Sequence, residues 1–280
     1  MLLNSITDFR KELDNNNKLS KLGLVPTMGA LHHGHLSLIE KAKEVCDVVA
    51  VSVFVNPTQF TNPNDLSKYP RTLDKDLEII HKLGEGILVY VPSVEEIYPH
   101  ETHAEHFDFG TLSKFMEGEY RHGHFDGVGT VLKRLFNLIN PDYAYFGEKD
   151  YQQLAVVKKL VEITGQNVKI IGCETYREPN GLAKSSRNKL LTEEEKKHAG
   201  IIFECLNLVK HQIKTKSILE IKKLVKDTFK TYKNFKLEYC EVASEKDLKP
   251  TQHIKPNQTY RAFIAAYCNE VRLIDNMSLN

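Results

Sequence analysis

Residues 48–55 read Val-Val-Ala-Val-Ser-Val-Phe-Val, a nearly uninterrupted run of β-branched and other apolar residues. Such a run is typical of a parallel strand that is buried on both faces of its sheet. Further strands are predicted at residues 22–25, 86–90, 143–146 and 168–171, and amphipathic helices between them at 72–83, 127–140 and 151–164. This alternation predicts an α/β fold, a Rossmann-like parallel sheet with helices on both faces.

The pattern changes after residue 180. A helix is predicted to open at Thr192, whose hydroxyl can cap it, and a second helix at Ser217. Three strands follow at 236–243, 261–268 and 271–275, and the two-residue gap between the last two predicts a hairpin. We therefore expect a first domain over residues 1–178 and a small α+β domain with a short antiparallel sheet over 179–280.

Composition excludes several classes of protein. The 280 residues are 41% hydrophobic and carry 38 Lys and Arg against 37 Asp and Glu, a net charge of +1. Intrinsic disorder and the charge-driven coating of nucleic acid are therefore excluded for the whole chain. The charge is unevenly divided, with −6 over residues 1–180 and +7 over 181–280.

The cysteines and the first four residues indicate the cellular compartment of the protein. Five cysteines form no Cys-x-x-Cys pair, which indicates reduced thiols. The first four residues lack the features of a secretory signal, and no run approaches about 18 apolar residues. We expect a cytoplasmic protein with no membrane partner.

The segment at residues 26–35, Pro-Thr-Met-Gly-Ala-Leu-His-His-Gly-His, follows the first strand and opens a helix. Gly29 and Gly34 allow a ligand to approach the backbone closely, and a helix N-terminus attracts phosphate. His32 and His35, three residues apart, project from one face and could donate hydrogen bonds to phosphate. A metal site and a surface histidine cluster remain alternatives, whereas a P-loop is excluded because its motif is absent.

A second segment, residues 54–60, lies at the end of the strand predicted at 48–55. Asn56 and Gln59 can each donate and accept hydrogen bonds, as recognition of a hydroxy acid requires. A turn dictated by Asn56-Pro57 is the alternative.

Two more segments carry charges suited to phosphate. At 146–153, Lys149 could neutralise phosphate, Asp150 could hold Mg²⁺, and Gln153 lies one turn further along a predicted helix. At 181–188, two hydroxyls and two cations lie within four residues, as in a phosphate clamp. Helix capping and a solvated linker are the respective alternatives.

The histidines His100, His103 and His106 have the three-residue spacing of a metal-binding comb. We interpret them as drifting around a helix rather than converging on one ion.

Six motifs taken together are more specific. PTMGALHHGH, VSVFVNPTQF, YPRTLDKDL, GHFDGV, FGEKDYQQL and GLAKSSRN, in this order, resemble the pantothenate synthetase (pantoate–β-alanine ligase) family over residues 20–191. That family belongs to the nucleotidyl transferases with a HIGH signature, and KSSR resembles their second signature loop. The resemblance implies that ATP and pantoate form a pantoyl adenylate, which the amine of β-alanine then converts to pantothenate and AMP.

The resemblance also assigns residues. The implied catalytic residues are His35, the proton donor, with His32 and Lys149. The implied ATP-binding residues are Met28, Gly29, Ala30, Leu31, His32, His33, Gly34, His35, Gly147, Glu148, Lys149, Asp150, Tyr176, Lys184, Ser185, Ser186 and Arg187. The implied pantoate-binding residues are Asn56, Gln59 and Gln153, with Gln59 also binding β-alanine. Asp150 is the implied Mg²⁺ ligand, no tightly bound organic cofactor is expected, and a homodimer is implied.

Some positions depart from the family pattern. Lys184 replaces a residue that is usually apolar, and His33 one that is often acidic. His122 and Asp126 lie in a stretch more often written RPGHFRG, so the loop there is expected to differ in shape. Two other functions remain open, a nucleotidyl transferase that makes a phosphodiester and a non-catalytic histidine-rich metal-binding module.

Overall fold

Six parallel strands form the sheet of the first structural unit in this computed structural model, which describes residues 1–15 and 21–280. The strands are β1 (Leu2–Leu3), β2 (Leu22–Thr27), β3 (Val48–Val53), β4 (Ile87–Tyr90), β5 (Tyr143–Gly147) and β6 (Lys169–Cys173). Their order is β1-β4-β3-β2-β5-β6, and every neighbouring pair is parallel. The carboxyl ends of the adjacent strands β3, β2 and β5 therefore lie at one edge of the sheet.

The helices of the described residues include those predicted at 72–83, 127–140 and 151–164, with small shifts at their ends. They are α1 (Ile6–Asn15), α2 (His33–Lys43), α3 (Pro63–Lys68), α4 (Leu73–His81), α5 (Val94–Ile97), α6 (Glu117–Tyr120), α7 (His124–Ile139), α8 (Tyr151–Thr164), α9 (Glu193–His198), α10 (Ile201–Gln212) and α11 (Ile218–Phe229). Helix α7 begins three residues before the predicted start, after Gly123 at φ +78°, and its predicted apolar stripe is buried. Asn140 caps it in the left-handed region, and Pro141 prevents its continuation.

Helix α2 packs its apolar face onto the centre of the sheet. The valines of β2, β3 and β4 that face it are almost fully buried, as a doubly covered parallel sheet requires. The residues that form this core are Val25, Leu31, Leu38, Ile39, Ala42, Cys46, Val49, Val51, Ile80, Ile87, Val89 and Tyr145. In the part of the chain that the structure describes, no helix combines the length and apolar composition needed to cross a bilayer.

Two units emerge from the contacts within the chain. The first comprises Met1–Phe109, Arg121–Glu148 and Gln153–Glu174, and the second comprises Gly110–Tyr120, Lys149–Gln152 and Thr175–Asn280. The second unit thus includes residues 110–120, 149–152 and 175–178 of the predicted first domain. The boundary predicted at residue 178 stays a prediction.

A three-stranded antiparallel sheet forms the second unit with the helices from α9 onward. Its strands are β7 (Phe235–Ser244), β8 (Tyr260–Cys268) and β9 (Val271–Ser278), in that order. The predicted hairpin is confirmed, since Cys268 pairs with Val271 across a two-residue turn. The predicted cap of α9 is confirmed as well, because Thr192 and Glu195 exchange side-chain hydrogen bonds with each other's backbone N–H. The five cysteines, all in described positions, are free thiols.

Arg272 of β9 is the centre of a buried ionic network in the second unit. Its guanidinium donates to both carboxylate oxygens of Glu117 at 2.7 and 2.8 Å and to Glu238 at 2.5 and 2.9 Å. The hydroxyl of Tyr239 donates to Glu117 at 2.8 Å, and Gln152 accepts from the Glu117 N–H. Burial opposes the charge on Arg272, but the two carboxylates outweigh it and raise the pKa of the guanidinium. The network therefore joins the segment 110–120 to the sheet through a permanent cation.

We predict that Arg272→Met lowers the free energy of unfolding by about 3–5 kcal/mol, because it leaves the buried carboxylate of Glu117 and the half-buried one of Glu238 without their cation. Urea titration followed by circular dichroism measures the change. Lys230→Met is the matched control, since it removes a cation from an exposed pair with Asp227 and should change stability little. Equal effects of the two substitutions would contradict the prediction.

Candidate active site

The loop between β2 and α2 has an unusual backbone. Gly29 lies at φ +79° and Ala30 at φ +51°, both in the left-handed region. A Cβ at Gly29 would lie 3.1 Å from Val53 Cγ1 and 3.2 Å from Asp76 Oδ2. The loop therefore needs glycine at this position, both for its backbone angle and for its close packing.

Asp76 of α4 holds this loop in place. Its carboxylate is 1% exposed and accepts hydrogen bonds from the N–H of Ala30 and of Leu31, each at 2.8 Å. The hydroxyl of Thr72 also donates to it, at 3.1 Å. Sequence reasoning missed Asp76, because an aspartate in the first turn of a helix is normally a solvated group that complements the helix dipole.

His32 and His35 lie side by side at the start of α2. Their rings stack with centroids 4.0 Å apart and an angle of 25° between the ring planes. The backbone N–H of His32 donates to Nδ1 of His35 at 3.3 Å. Because Nδ1 accepts this bond, a neutral His35 ring carries its proton on Nε2, which makes that atom a hydrogen-bond donor.

Asn56 and Gln59 lie in the turn that follows β3. Both are buried, at 1% and 9% exposure, and Asn56 Nδ2 donates to Gln59 Oε1 at 3.1 Å. Gln59 Nε2 lies 3.0 Å from Met28 Sδ. The loops after β2 and β3 thus meet at Gln59 and Met28. The turn expected at Asn56-Pro57 is present as well, because Asn56 directly precedes a 3-10 turn formed by Pro57–Gln59.

The first turns of α7 pack against this same turn. A Cβ at Gly127 would lie 2.3 Å from the carbonyl oxygen of Thr58 and 2.6 Å from Gln59 Cα. His124, 5% exposed, lies with Nδ1 2.8 Å from the carbonyl oxygen of Gln59. Since a carbonyl only accepts, Nδ1 of His124 carries a proton. Sequence reasoning missed this role of His124, although the motif GHFDGV contains both His124 and Gly127.

The remaining predicted residues of the first unit lie near the end of β5. Gly147 is the last residue of β5, Glu148 follows it, and Gln153 lies half-buried in α8. The predicted residues of the first unit therefore follow three adjacent strands, β3, β2 and β5. They are Met28, Gly29, Ala30, Leu31, His32, His33, Gly34, His35, Asn56, Gln59, Gly147, Glu148 and Gln153.

Lys149 and Asp150 belong to the second unit. Nζ of Lys149 lies 3.3 Å from Asp150 Oδ1, and the Lys149 carbonyl accepts from Asn276 Nδ2 at 2.8 Å. The Asp150 side chain is 46% exposed.

The segment that contains Ser185, Ser186 and Arg187 is also in the second unit. Ser185 caps a 3-10 turn, Ser186–Leu190, by accepting the Arg187 N–H. Lys184 bonds through its backbone N–H to the carbonyl of Tyr176, and its ammonium pairs with the Glu178 carboxylate. Lys184 is thus held by a carboxylate of its own unit.

The histidines at positions 100, 103 and 106 are not in a helix, so the interpretation that they drift around one is wrong. Nδ1 of His106 lies 3.0 Å from an oxygen of Asp126. Asp126 also accepts the N–H of Phe107, so two hydrogen bonds to this carboxylate tie the segment to α7. Within residues 1–15 and 21–280, no group of three or more His, Cys, Asp or Glu side chains could hold a metal ion.

Comparison with known proteins identifies the family. The family described as pantoate-beta-alanine ligase matches residues 1–278. A pantothenate synthetase of Flavobacterium psychrophilum is 51% identical over 258 residues, 92% of each chain. The chain therefore belongs to the pantoate–β-alanine ligase family, and the resemblance inferred from the six motifs is confirmed.

Solved structures agree with this assignment. The pantothenate synthetase of Thermus thermophilus superposes with a TM-score of 0.90 at 36% identity, over 99% of both chains. The ligase of Francisella tularensis, complexed with beta-gamma ATP and beta-alanine, has a TM-score of 0.83 at 39% identity and covers 100% of this chain and 97% of its own. The predicted fold class, a parallel sheet with helices and a C-terminal antiparallel sheet, is confirmed.

We predict that Asp76→Asn lowers the rate of pantothenate formation about 10²-fold, because an amide cannot accept from both loop N–H groups and the loop shifts by up to about 1 Å. Steady-state kinetics measure this loss. Thr72→Val is the matched control, since it removes only the third hydrogen bond of the carboxylate. A normal rate in Asp76→Asn would show that the loop does not depend on this carboxylate.

Proposed function

We propose that this chain joins pantoate to β-alanine in two steps that share one site. In the first, a carboxylate oxygen of pantoate attacks the α-phosphorus of ATP, and the bond from that phosphorus to pyrophosphate breaks. In the second, the amine of β-alanine attacks the acyl carbon, the acyl–oxygen bond breaks, and AMP leaves while the amine loses a proton. The single observation that carries the proposal is the meeting of Gln59 with Met28 beside the start of α2.

The stacked histidines suit the first step. Negative charge spreads over the oxygens of the reacting phosphate, so the step needs fixed donors more than a strong base. His35 offers its Nε2 proton, His32 lies against it, and the N-terminus of α2 adds the positive end of its dipole. We assign His35 and His32 to the α-phosphate.

The amides after β3 suit the acid substrate. A carboxylate only accepts hydrogen bonds, and Gln59 Nε2, which lies against the weak acceptor Met28 Sδ, can donate to it. We assign pantoate binding to Gln59, Gln153 and Asn56, of which Asn56 acts through its hydrogen bond to Gln59, and Gln59 is also near β-alanine. The Francisella tularensis relative, solved with beta-alanine, supports a β-alanine site in this fold.

The ATP site draws on the remaining predicted residues. We propose, from the family resemblance, that residues 28–35, Gly147 and Glu148 bind the nucleotide, and that further cations and hydroxyls of the chain bind its phosphates. These cations and hydroxyls are Lys149, Tyr176, Lys184, Ser185, Ser186 and Arg187, and Asp150 takes part in the site as the proposed Mg²⁺ ligand. Lys149 is the proposed catalytic cation among them.

Mg²⁺ is the metal that we propose to accompany ATP. The half-exposed carboxylate of Asp150 fits it, because Mg²⁺ commonly binds one or two protein carboxylates together with substrate phosphates and water. When bound, the ion would neutralise phosphate charge. All the other proposed roles, which are substrate binding and hydrogen-bond donation to phosphate and carboxylate, belong to residues of this chain.

A homodimer and a cytoplasmic location complete the proposal. The homodimer rests on the family resemblance. The location is supported by the free thiols of all five cysteines, which suit a reducing compartment.

Pyrophosphate exchange tests the first step on its own. We expect labelled pyrophosphate to enter ATP when pantoate is present and β-alanine is absent, because the adenylate forms reversibly before the amine is needed. The measurement is radioactivity in ATP isolated after incubation. Exchange that does not depend on pantoate would contradict the adenylate and favour the alternative nucleotidyl transferase.

His35→Ala is expected to reduce that exchange about 10²–10³-fold, the usual loss for one fixed donor to a transition-state oxyanion. His103→Ala is the control, since His103 is exposed and lies outside the candidate site. Exchange at the normal rate in His35→Ala would remove His35 from the chemistry.

A further inference from the structure

Tyr98 is a buried tyrosine at the end of α5, and its hydroxyl reaches the turn after β3. It is 3% exposed, and its hydroxyl donates to Asn56 Oδ1 at 2.6 Å. The hydroxyl of Thr58 lies 2.8 Å from the Tyr98 hydroxyl and 3.1 Å from the same Asn56 oxygen. Three oxygens thus meet beneath the proposed pantoate site.

The hydrogen bonds of Asn56 and Gln59 determine which atom of each side-chain amide is the oxygen and which is the nitrogen. Asn56 Nδ2 lies 3.1 Å from the carbonyl oxygen of Gly127, which can only accept, so this atom must be the nitrogen. Its second proton points at Gln59 at 3.1 Å, so the Gln59 atom there must be the oxygen. Gln59 Nε2 is therefore on the opposite side, next to Met28.

We infer that Tyr98 is a positioning residue that acts through Asn56 to make Gln59 present its N–H donors, rather than its carbonyl oxygen, to an acceptor oxygen of pantoate. This inference rests on the proposed binding of pantoate by Gln59. A reversed Gln59 amide would place its carbonyl oxygen against that acceptor and weaken binding. Asn56 has its own donors and acceptor committed to protein groups, so it serves the substrate indirectly.

Arg134 packs against the ring of Tyr98 and holds it in place. The guanidinium of Arg134 lies 4.4 Å from the centre of its ring and donates to the carbonyl of Ile97 at 2.8 Å. Arg134 in turn lies 3.6 Å from Glu105, which also pairs with Lys133. Burial raises the pKa of Tyr98, so its hydroxyl keeps the proton that it donates.

The test compares Tyr98→Phe with Tyr90→Phe. Both substitutions remove one buried hydroxyl from the first unit, but that of Tyr90 donates to Glu96 instead, at 2.9 Å. We expect Tyr98→Phe to raise the KM for pantoate about tenfold, the effect of one lost hydrogen bond, while the KM for ATP stays unchanged. Tyr90→Phe should change neither KM. Equal pantoate KM values in Tyr98→Phe and the unmodified protein would overturn the inference.

A double-substitution cycle separates this inference from the function on which it rests. Gln59→Ala alone should raise the KM for pantoate, and no rise would overturn the proposed role of Gln59 itself. In the Gln59→Ala background, Tyr98→Phe should add nothing, because Tyr98 acts through Gln59. A further rise of the same size would show that Tyr98 acts by another route.

Thermal unfolding of each variant shows whether it folds. Should Tyr98→Phe fail to fold, Thr58→Val is the second variant, since it removes the other hydroxyl at Asn56 Oδ1. It should raise the KM for pantoate by a smaller factor and leave the KM for ATP unchanged. An unchanged pantoate KM in a folded Thr58→Val protein would then overturn the inference.

Discussion

Buried hydrogen bonds to the loops after β2 and β3 are the constraint on which the first unit's chemistry depends. Asp76 accepts the N–H groups of Ala30 and Leu31, and Asn56 joins its turn to Gly127 and Gln59. The bonds of Asp76 hold loop backbone that is not part of any helix or strand, and those of Asn56 tie the turn after β3 to α7. Because they are buried, breaking any one leaves a polar group without a partner, which costs about 1–3 kcal/mol. The loops are therefore rigid where a substrate needs fixed donors.

That rigidity gives the proposed reaction its main advantage. Donors that are already aimed at a developing charge cost no reorganisation when the reaction occurs. We propose that the stacked rings of His32 and His35 and the fixed amide of Gln59 act as donors of this kind. One parallel sheet brings them to one edge, since β3, β2 and β5 are neighbours that run in the same direction.

The sequence predicted the fold well because its signals are local. The buried run at 48–55, the stripe of α7 and the turn at Asn269-Glu270 each depend on residues close along the chain. The restraints on the site could not be predicted in the same way. Asp76 contacts backbone about 45 residues away, and Tyr98 contacts Asn56 across 42 residues, so neither bond leaves a periodic pattern. Spacing alone also misled, since the three-residue repeat of histidines at 100–106 is not helical.

Oxygen labelling tests the central claim, that pantoate is activated as an adenylate. Pantoate with ¹⁸O in its carboxylate is turned over with ATP and β-alanine, and the products are analysed by mass spectrometry. One labelled oxygen is expected in AMP and none in pyrophosphate, because the attacking carboxylate oxygen stays on the α-phosphorus when the amine displaces AMP. Label in inorganic phosphate, or its absence from AMP, would contradict the account.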